Sequence, residues 1–247
     1  MKVDSIIAPV HKSLLKMELT EARFLRSTNK GHNEIYIVDA HNSPNVMWEI
    51  GRLREIAFRT SGGGTGKSAD IDEFDTMEEP CQQLIVWNPE AEEIIGGYRF
   101  LLGENMKMDK NGVPRIAMSH MFGYSQEFLK EKLPYTLELV SVEYQSTKAG
   151  VKALYALDNL WDGLGALTVV YPNLKYFFGK MTMYPSYPHE CRNMILYFLD
   201  KYFHDNDRLV YPLHPLDARI DEDKMRHIFT GSTFREDYKI INSHIRS

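Results

Sequence analysis

The residues from Glu138 to Gly150 are the part of this chain whose types and spacing point most directly to chemistry. A short β-like run starting at Glu138 enters a turn, and an amphipathic helix begins near Lys148. A turn that opens onto a helix N-terminus presents unpaired N–H groups at the positive end of the helix dipole, which suits it to hold a phosphate. The pattern also fits an ordinary strand-turn-helix connection, so the segment alone leaves both interpretations open.

The turn reads Gln145-Ser146-Thr147-Lys148-Ala149-Gly150 and resembles the Q/R-x-x-G-x-G/A motif of GNAT acyltransferases, with Lys148 in place of the middle glycine. Further motifs follow the order seen in one branch of that family: Asp70-x-Asp72-Glu73-Phe74-Asp75, Gln83–Trp87, Ile94–Arg99 and Glu138-Leu139. From about Ile35 to the C-terminus, the chain resembles bacterial ornithine-lipid N-acyltransferases, glycine-lipid synthases and haemolysin-like proteins, and more distantly acyl-homoserine-lactone synthases. The resemblance implies an α/β fold with a GNAT-like mixed central sheet flanked by helices.

The resemblance also implies the donor and its binding residues. The family takes its acyl group from a phosphopantetheine thioester on acyl carrier protein or coenzyme A, so no permanently bound cofactor is expected. Basic residues bordering the thioester entrance, including Lys175 and Lys180, suit an acidic carrier protein. The residues expected to bind the donor are Val142, Gln145, Ser146, Thr147, Lys148, Ala149 and Gly150.

Attack by an amine on a thioester needs a proton acceptor and donors for the oxyanion. By resemblance, Glu138 lies on the central strand beside the thioester channel and is the candidate base; a salt-bridge role is the alternative. The resemblance also implies an acceptor pocket in which the aspartates bind an ammonium and an arginine binds a carboxylate. A structural ion-pair cluster carries almost equal weight for these residues, which are Arg54, Phe58, Asp72, Asp75 and Arg99.

Two departures from the family pattern are visible. The family reads close to E-L-G-R-S-x-V around the central strand, whereas here Leu139 is followed directly by Val140, so about four residues including an arginine are absent. The chain also stops at Ser247 without the last strand pair of a GNAT sheet. We therefore expect an incomplete C-terminal end.

Composition excludes several other classes. The chain has 247 residues, 43% of them apolar, and a net charge of −5, which gives no bulk attraction to nucleic acid. Cys81 and Cys191 form no C-x-x-C pair, and His214 and His227 have no ligand-spaced partner, so no metal site is expected. No apolar run reaches the ~18 residues of a membrane span. We expect a cytoplasmic protein whose membrane contact, if present, is peripheral.

The periodicity predicts an N-terminal amphipathic arm, residues 1–33, and the resemblance implies that residues 34–247 form the acyltransferase domain. Within the arm, Ser13–Arg26 is predicted to be a helix that packs on the core, with contact to anionic lipid as the alternative. The domain is predicted to contain a helix capped by Ser43-Pro44. Its predicted strands are Ile35–Val38, Leu84–Trp87, Ile94–Leu102 and Tyr176–Tyr184, and residues 103–135 are expected to be irregular.

The glycine-rich string Gly62–Ser68 resembles a nucleotide-binding P-loop only superficially. A P-loop requires G-x-x-x-x-G-K-[ST] after a strand, but Ser61 occupies the first glycine position and the preceding element is a predicted helix. Its small residues favour a mobile loop, and resemblance to the lactone synthases implies a lid over the acceptor site. None of the histidines begins an H-x-x-x-x-D motif, which excludes the glycerolipid acyltransferase mechanism.

These observations lead to one functional prediction and one alternative. The prediction is an N-acyltransferase that moves a long acyl chain from acyl carrier protein, or from coenzyme A, to the amino group of an amino acid or aminolipid such as ornithine or glycine. The alternative is a non-catalytic acyl-thioester-binding protein. A secreted pore-forming haemolysin conflicts with the absence of a signal peptide and of a transmembrane pattern.

Overall fold

A computed structural model describes residues 3–142 and 155–245 of the chain. Its strands are β1 (Phe24–Ser27), β2 (Glu34–Val38), β3 (Gln82–Asn88), β4 (Glu93–Leu102), β5 (Phe122–Tyr124), β6 (Thr136–Val142), β7 (Tyr176–Gly179) and β8 (Val210–Pro212). Its helices are α1 (Lys12–Glu18), α2 (Pro44–Thr60), α3 (Glu73–Thr76), α4 (Ala156–Val170), α5 (His189–Phe203), α6 (Glu222–Ile228) and α7 (Phe234–Ile245). The chain divides into two compact units, residues 1–119 with 129–180, and residues 120–128 with 181–247.

The first unit is built on a mixed sheet. In the described part of the chain its strand order is β1-β2-β3-β4-β6-β7, with β6 and β7 parallel and the other neighbours antiparallel. Because β6 and β7 are parallel, the chain must cross over between them, and α4 lies on that connection. This mixed sheet with flanking helices confirms the GNAT-like fold.

The two faces of the sheet bury different sets of side chains, because successive residues of a strand point to opposite faces. One face packs against α1 and α2 and buries Leu15, Tyr36, Val38, Val46, Met47, Ile50, Ile85 and Trp87. The other packs against α4 and buries Ile35, Leu84, Val86, Tyr98, Phe100, Leu137, Leu160, Leu164 and Leu167. Gly163 lets α4 approach closely, since a Cβ there would lie 2.7 Å from a side-chain carbon of Leu84.

The predicted N-terminal helix Ser13–Arg26 is wrong in its second half. The helix ends at Glu18, and Phe24–Ser27 instead form β1, which pairs antiparallel with β2 at one edge of the sheet. Thr20 already has an extended backbone, with φ −90° and ψ 165°. Helical periodicity describes the side chains of one segment at a time. It could not reveal that this segment would pair with the hydrogen-bonding edge of β2. Leu15 is buried in the α2-side core, so this arm packs on the sheet.

Other sequence predictions agree with the structure in part. The helix predicted to follow Ser43 begins at Pro44, but the Ser43 side chain makes no capping hydrogen bond, and the Glu18 carboxylate accepts from the N–H groups of Asn45 and Val46 instead. The strands around Asn88-Pro89 form an antiparallel hairpin, as predicted. The predicted strand Tyr176–Tyr184 is too long, because β7 ends at Gly179, where its pairing with Leu139 of β6 also ends. A strand persists only where a ladder partner satisfies its backbone groups. Residues 103–135 contain β5 and several short helical turns.

The second unit has its own core. It contains α5, α6, α7 and the β5–β8 pair, and it buries Met194, Phe198, Met225, Phe229 and Ile241. Met194 and Phe198 are the buried residues of α5. Within the described residues, no helix is both long and apolar enough to cross a membrane.

Candidate active site

A cluster of buried ion pairs lies on the α2 side of the sheet. Arg54 of α2 contacts Asp75 of α3, with its Nη1 3.0 Å from Oδ2, and contacts Asp70, with its Nε 3.4 Å from Oδ2. Arg99 of β4 donates from Nη1 to both carboxylate oxygens of Asp72 at 2.8 Å, and it lies 3.2 Å from Oδ1 of Asp75. The structure thus brings together Arg54, Asp72, Asp75 and Arg99, which come from three separate elements.

The short helix α3 is shaped by its own aspartates. The Asp72 carboxylate caps the helix by accepting from the backbone N–H groups of Phe74 and Asp75, and the Asp75 carboxylate accepts from the N–H of Asp72. This reciprocal arrangement is a capping box with aspartate at both positions. Each aspartate therefore fixes the backbone of α3 while pairing with a guanidinium.

Electrostatics favour the charged forms of Asp72 and Arg99. Burial raises the pKa of Asp72, but the charge of Arg99 and its hydrogen bond outweigh burial, so the net pKa is lowered. Burial dominates at Asp70 and raises its pKa despite the attraction of Arg54. Burial also lowers the pKa of Arg99, but Asp75 and Asp72 more than reverse this, so that guanidinium stays protonated.

The exposure of these groups limits what a ligand can contact. The side chain of Asp75 is 0% exposed and those of Arg54 and Arg99 are 4% and 5% exposed, whereas that of Asp72 is 34% exposed. Asp72 is therefore the member of the cluster best placed to meet a ligand. Phe58 lies apart from the cluster, half-buried against the hydrophobic core on the α2 side.

Glu138 lies on the same sheet face as Arg99. It is paired with Leu101 in the antiparallel β4–β6 ladder, two residues along from the pair Arg99–Val140. Its carboxylate is 2% exposed and its Oε1 accepts from the backbone N–H of Met118 at 3.3 Å. Burial raises the pKa of Glu138 to about 7, opposed by the Met118 hydrogen bond and by the charges of Arg99 and Lys180. A carboxylate with this pKa can accept a proton near neutral pH.

The predicted donor-binding turn, Gln145–Gly150, lies outside the described residues. Val142 is the last residue of β6 and its backbone pairs with Gly97 of β4. Lys180 immediately follows β7, next to the end of the β6–β7 pairing, whereas Lys175 lies at the start of β7 beside Tyr135. Because β6 and β7 are parallel, Lys180 lies at the C-terminal end of this strand pair and Lys175 lies at its N-terminal end.

The glycine-rich loop is held by a buried carboxylate. Glu55 of α2 accepts from the backbone N–H groups of Thr65 and Gly66 and from the Thr65 hydroxyl, and it also pairs with Arg59. The element before the loop is a helix, as predicted, which is incompatible with a P-loop. The structure thus ties the expected lid to α2 through these hydrogen bonds.

Sequence analysis missed three contributors to this region. Gln83 donates to Asp75 Oδ1 at 3.1 Å, and its position as a polar residue directly before the apolar run of β3 was the available signal. Met118 contributes a backbone N–H, which no side-chain pattern reveals. Cys81 is buried, and burial together with Glu138, Asp75 and Asp72 raises the pKa of its thiol to about 12 despite the opposing charge of Arg99, so the thiolate is disfavoured.

Comparison with known proteins identifies the class and then the near relatives. An acetyltransferase (GNAT) domain model matches residues 53–149, the span from α2 through the predicted donor turn. A glycine N(alpha)-acyltransferase of Phocaeicola vulgatus is 60% identical over 248 residues, covering 99% of this chain and 76% of the relative. A glycine N(alpha)-acyltransferase of Bacteroides thetaiotaomicron is 62% identical over 248 residues, covering 99% and 74%. No solved structure matches significantly. The chain belongs to the bacterial GNAT-type N-acyltransferases and is an acyltransferase that uses an acyl thioester as substrate.

Proposed function

We propose that this enzyme transfers a long acyl chain from a thioester donor to the amino group of glycine. The observation that supports glycine as the acceptor is the 60–62% identity, over 99% of the chain, to relatives named glycine N(alpha)-acyltransferase. Ornithine, the other acceptor suggested by sequence, has no such support among these relatives. The product is an N-acylglycine, in which an amide links the two partners.

We assign proton removal to Glu138. The glycine ammonium loses a proton to the Glu138 carboxylate, and the resulting amine attacks the thioester carbonyl to form a tetrahedral oxyanion. Collapse of that intermediate breaks the C–S bond, and the proton that the nitrogen loses as the amide forms passes to the departing thiolate. Glu138 then returns its own proton to solvent. The raised pKa of Glu138 supports this role, because a stronger base accepts a proton from an ammonium more readily.

We propose acyl carrier protein as the donor, with coenzyme A as the alternative, and Val142 and Gln145–Gly150 as the phosphopantetheine site. Lys180 supports a basic entrance because it follows β7 beside the end of the β6–β7 pairing. Carrier protein surfaces are acidic, so binding should weaken as salt concentration rises. Charge reversal at Lys148 should weaken binding of acyl carrier protein more than binding of acyl coenzyme A. Affinity for carrier protein that is independent of salt and of Lys148 would favour coenzyme A.

The direct test uses the purified full chain with long-chain acyl carrier protein or acyl coenzyme A, and with glycine or ornithine as acceptor. Mass spectrometry of the lipid extract should show N-acylglycine, with glycine used at a higher kcat/KM than ornithine. Preference for ornithine would overturn the acceptor assignment. Thioester binding without any amide product from either acceptor and either donor would contradict the proposed reaction.

A further inference from the structure

A small, partly enclosed cavity lies in the first unit, between residues that follow α3 and residues at the end of β4 and just after it. Its volume is about 80 Å³, roughly the space of two or three water molecules in the liquid. That volume can hold the backbone atoms of an amino acid but leaves no room for a long side chain. The residues that line it are Met77, Glu78, Glu79, Leu101, Asn105, Lys107 and Arg115.

The polar residues around this cavity carry both signs of charge. The Nζ of Lys107 lies 3.5 Å from Glu78 Oε2 and 3.3 Å from Glu79 Oε1. Arg115 is exposed, and the structure shows no ion pair or hydrogen bond from its guanidinium to any described residue. Arg99, by contrast, already has two carboxylate partners, Asp72 and Asp75. Arg115 is therefore the lining arginine whose planar fork is available to a ligand carboxylate.

Two features relate the cavity to Glu138, the proposed base. Leu101, which lines it, is the direct cross-strand neighbour of Glu138, and such pairs have Cβ atoms ~5 Å apart. Arg115 belongs to the segment that continues to Met118, whose N–H binds the Glu138 carboxylate. The cavity wall thus includes a residue, Leu101, that is the cross-strand neighbour of Glu138 on one face of the sheet.

We propose that this cavity is the acceptor site, in which Arg115 binds the α-carboxylate of the amino acid and directs its amine toward Glu138. The inference rests on the proposed function and deepens it, because it names the chemical class of acceptor as an α-amino acid with a free carboxylate. The mixed charge around the cavity suits a zwitterion before it reacts. The small volume favours an acceptor without a side chain.

The experiment measures acceptor kinetics for the wild type, Arg115→Met, Arg115→Lys and Lys110→Met. Lys110→Met is the matched control, since it removes the same charge from the same loop at a residue that does not line the cavity. Arg115→Met should raise the KM for glycine by at least ~10-fold, with the KM for the acyl donor unchanged, because a charge-assisted bidentate contact is lost. Arg115→Lys should fall between Arg115→Met and the wild type, and Lys110→Met should match the wild type.

A second acceptor, glycinamide, tests carboxylate recognition and separates it from general damage. The wild type should prefer glycine over glycinamide in kcat/KM, and Arg115→Met should lose most of that preference. An unchanged glycine KM and unchanged preference in Arg115→Met would overturn the proposal, as would an equal effect of Lys110→Met.

Titration of each purified protein with glycine, followed by NMR, measures binding without turnover. Weaker glycine binding by Arg115→Met than by Lys110→Met supports the site, and equal binding contradicts it. Failure of the wild type to acylate glycine would contradict the proposed function, whereas this binding comparison would still decide the role of Arg115.

Discussion

Two buried acidic regions on the same face of the sheet differ in how their charge is compensated. Asp75 is fully buried, but Arg54, Arg99, Gln83 and a backbone N–H surround it. Glu138 is almost as buried, and the hydrogen bond that the structure shows to its carboxylate comes from one backbone N–H. The first arrangement surrounds a buried carboxylate with two guanidinium groups and two hydrogen-bond donors, whereas the second leaves a carboxyl group whose pKa burial raises to about 7. Compensation, rather than burial itself, separates a structural carboxylate from a candidate base.

The largest expected effect comes from removing the candidate base. Glu138→Gln keeps the size of the side chain and its acceptor for the Met118 N–H but removes the basic oxygen. We expect kcat to fall by ~10²–10⁴-fold with donor affinity nearly unchanged. Steady-state kinetics with saturating glycine, together with donor binding, measure both. Turnover within a few-fold of the wild type would show that Glu138 has a structural role and does not remove the proton.

The second largest effect is expected from removing the Asp75 carboxylate, which pairs with Arg54 and Arg99. Asp75→Ala leaves Arg54 and Arg99 buried with fewer carboxylate partners, so we expect a loss of about 3–5 kcal/mol in the free energy of unfolding. Denaturant unfolding monitored by circular dichroism gives this quantity. Glu138→Gln is the matched comparison and should be at least as stable as the wild type at pH 6, because the variant does not pay the cost of ionising a buried carboxyl group. Equal destabilisation by the two substitutions would remove the distinction between the regions.

The pH dependence of unfolding sharpens the same contrast. The folded-state pKa of Glu138 is raised above its ordinary value, so the folded protein binds more protons than the unfolded chain between about pH 4.5 and 7. Its contribution to stability is therefore fully present below that window and is lost as pH rises through about 7, by roughly 3 kcal/mol. Glu138→Gln should remove this loss, and unfolding curves from pH 5 to 8 will show it. Parallel pH profiles for the two proteins would contradict the raised pKa.

As pH rises through about 7, the activity of the wild type should increase, whereas the contribution of Glu138 to stability decreases. The basic form of Glu138 is required, so kcat/KM of the wild type should rise as pH increases through about 7 and then level off. The residual activity of Glu138→Gln should lack this limb, as a rate profile over the same range will measure. An unchanged acidic limb in Glu138→Gln would assign the ionisation to another group, and Asp72, whose pKa is lowered, would not account for it.

The smallest expected effect concerns Glu55, another buried carboxylate that is surrounded by hydrogen-bond donors. Thr65→Val removes the hydroxyl that donates to Glu55 at 2.6 Å but leaves the backbone donors of Thr65 and Gly66 in place. We expect a loss of about 1 kcal/mol in the free energy of unfolding. Thermal unfolding against the wild type measures it. A loss as large as that of Asp75→Ala would show that the loop depends on this single bond rather than on the whole set.

Sequence patterns located much of the sheet but could not set its edges. The apolar runs around Leu84 and Ile94, with Asn88-Pro89 between them, predicted the central hairpin because its turn and its alternation are local features. The strand Phe24–Ser27 was predicted as helix, since its partner β2 acts only after the chain has folded back. The end of β7 at Gly179 likewise depends on where β6 stops pairing with it.

The same division applies to the site. By itself, the order of the motifs indicated the family, and the resemblance selected Arg54, Asp72, Asp75, Arg99 and Glu138, because these residues match recurrent positions of the family. Only the tertiary structure decided which of these charges are compensated. The partners of Asp75 come from α2, β3 and β4, and burial of Glu138 depends on packing around β6. Desolvation and charge pairing are functions of distance in space, which a linear sequence does not contain.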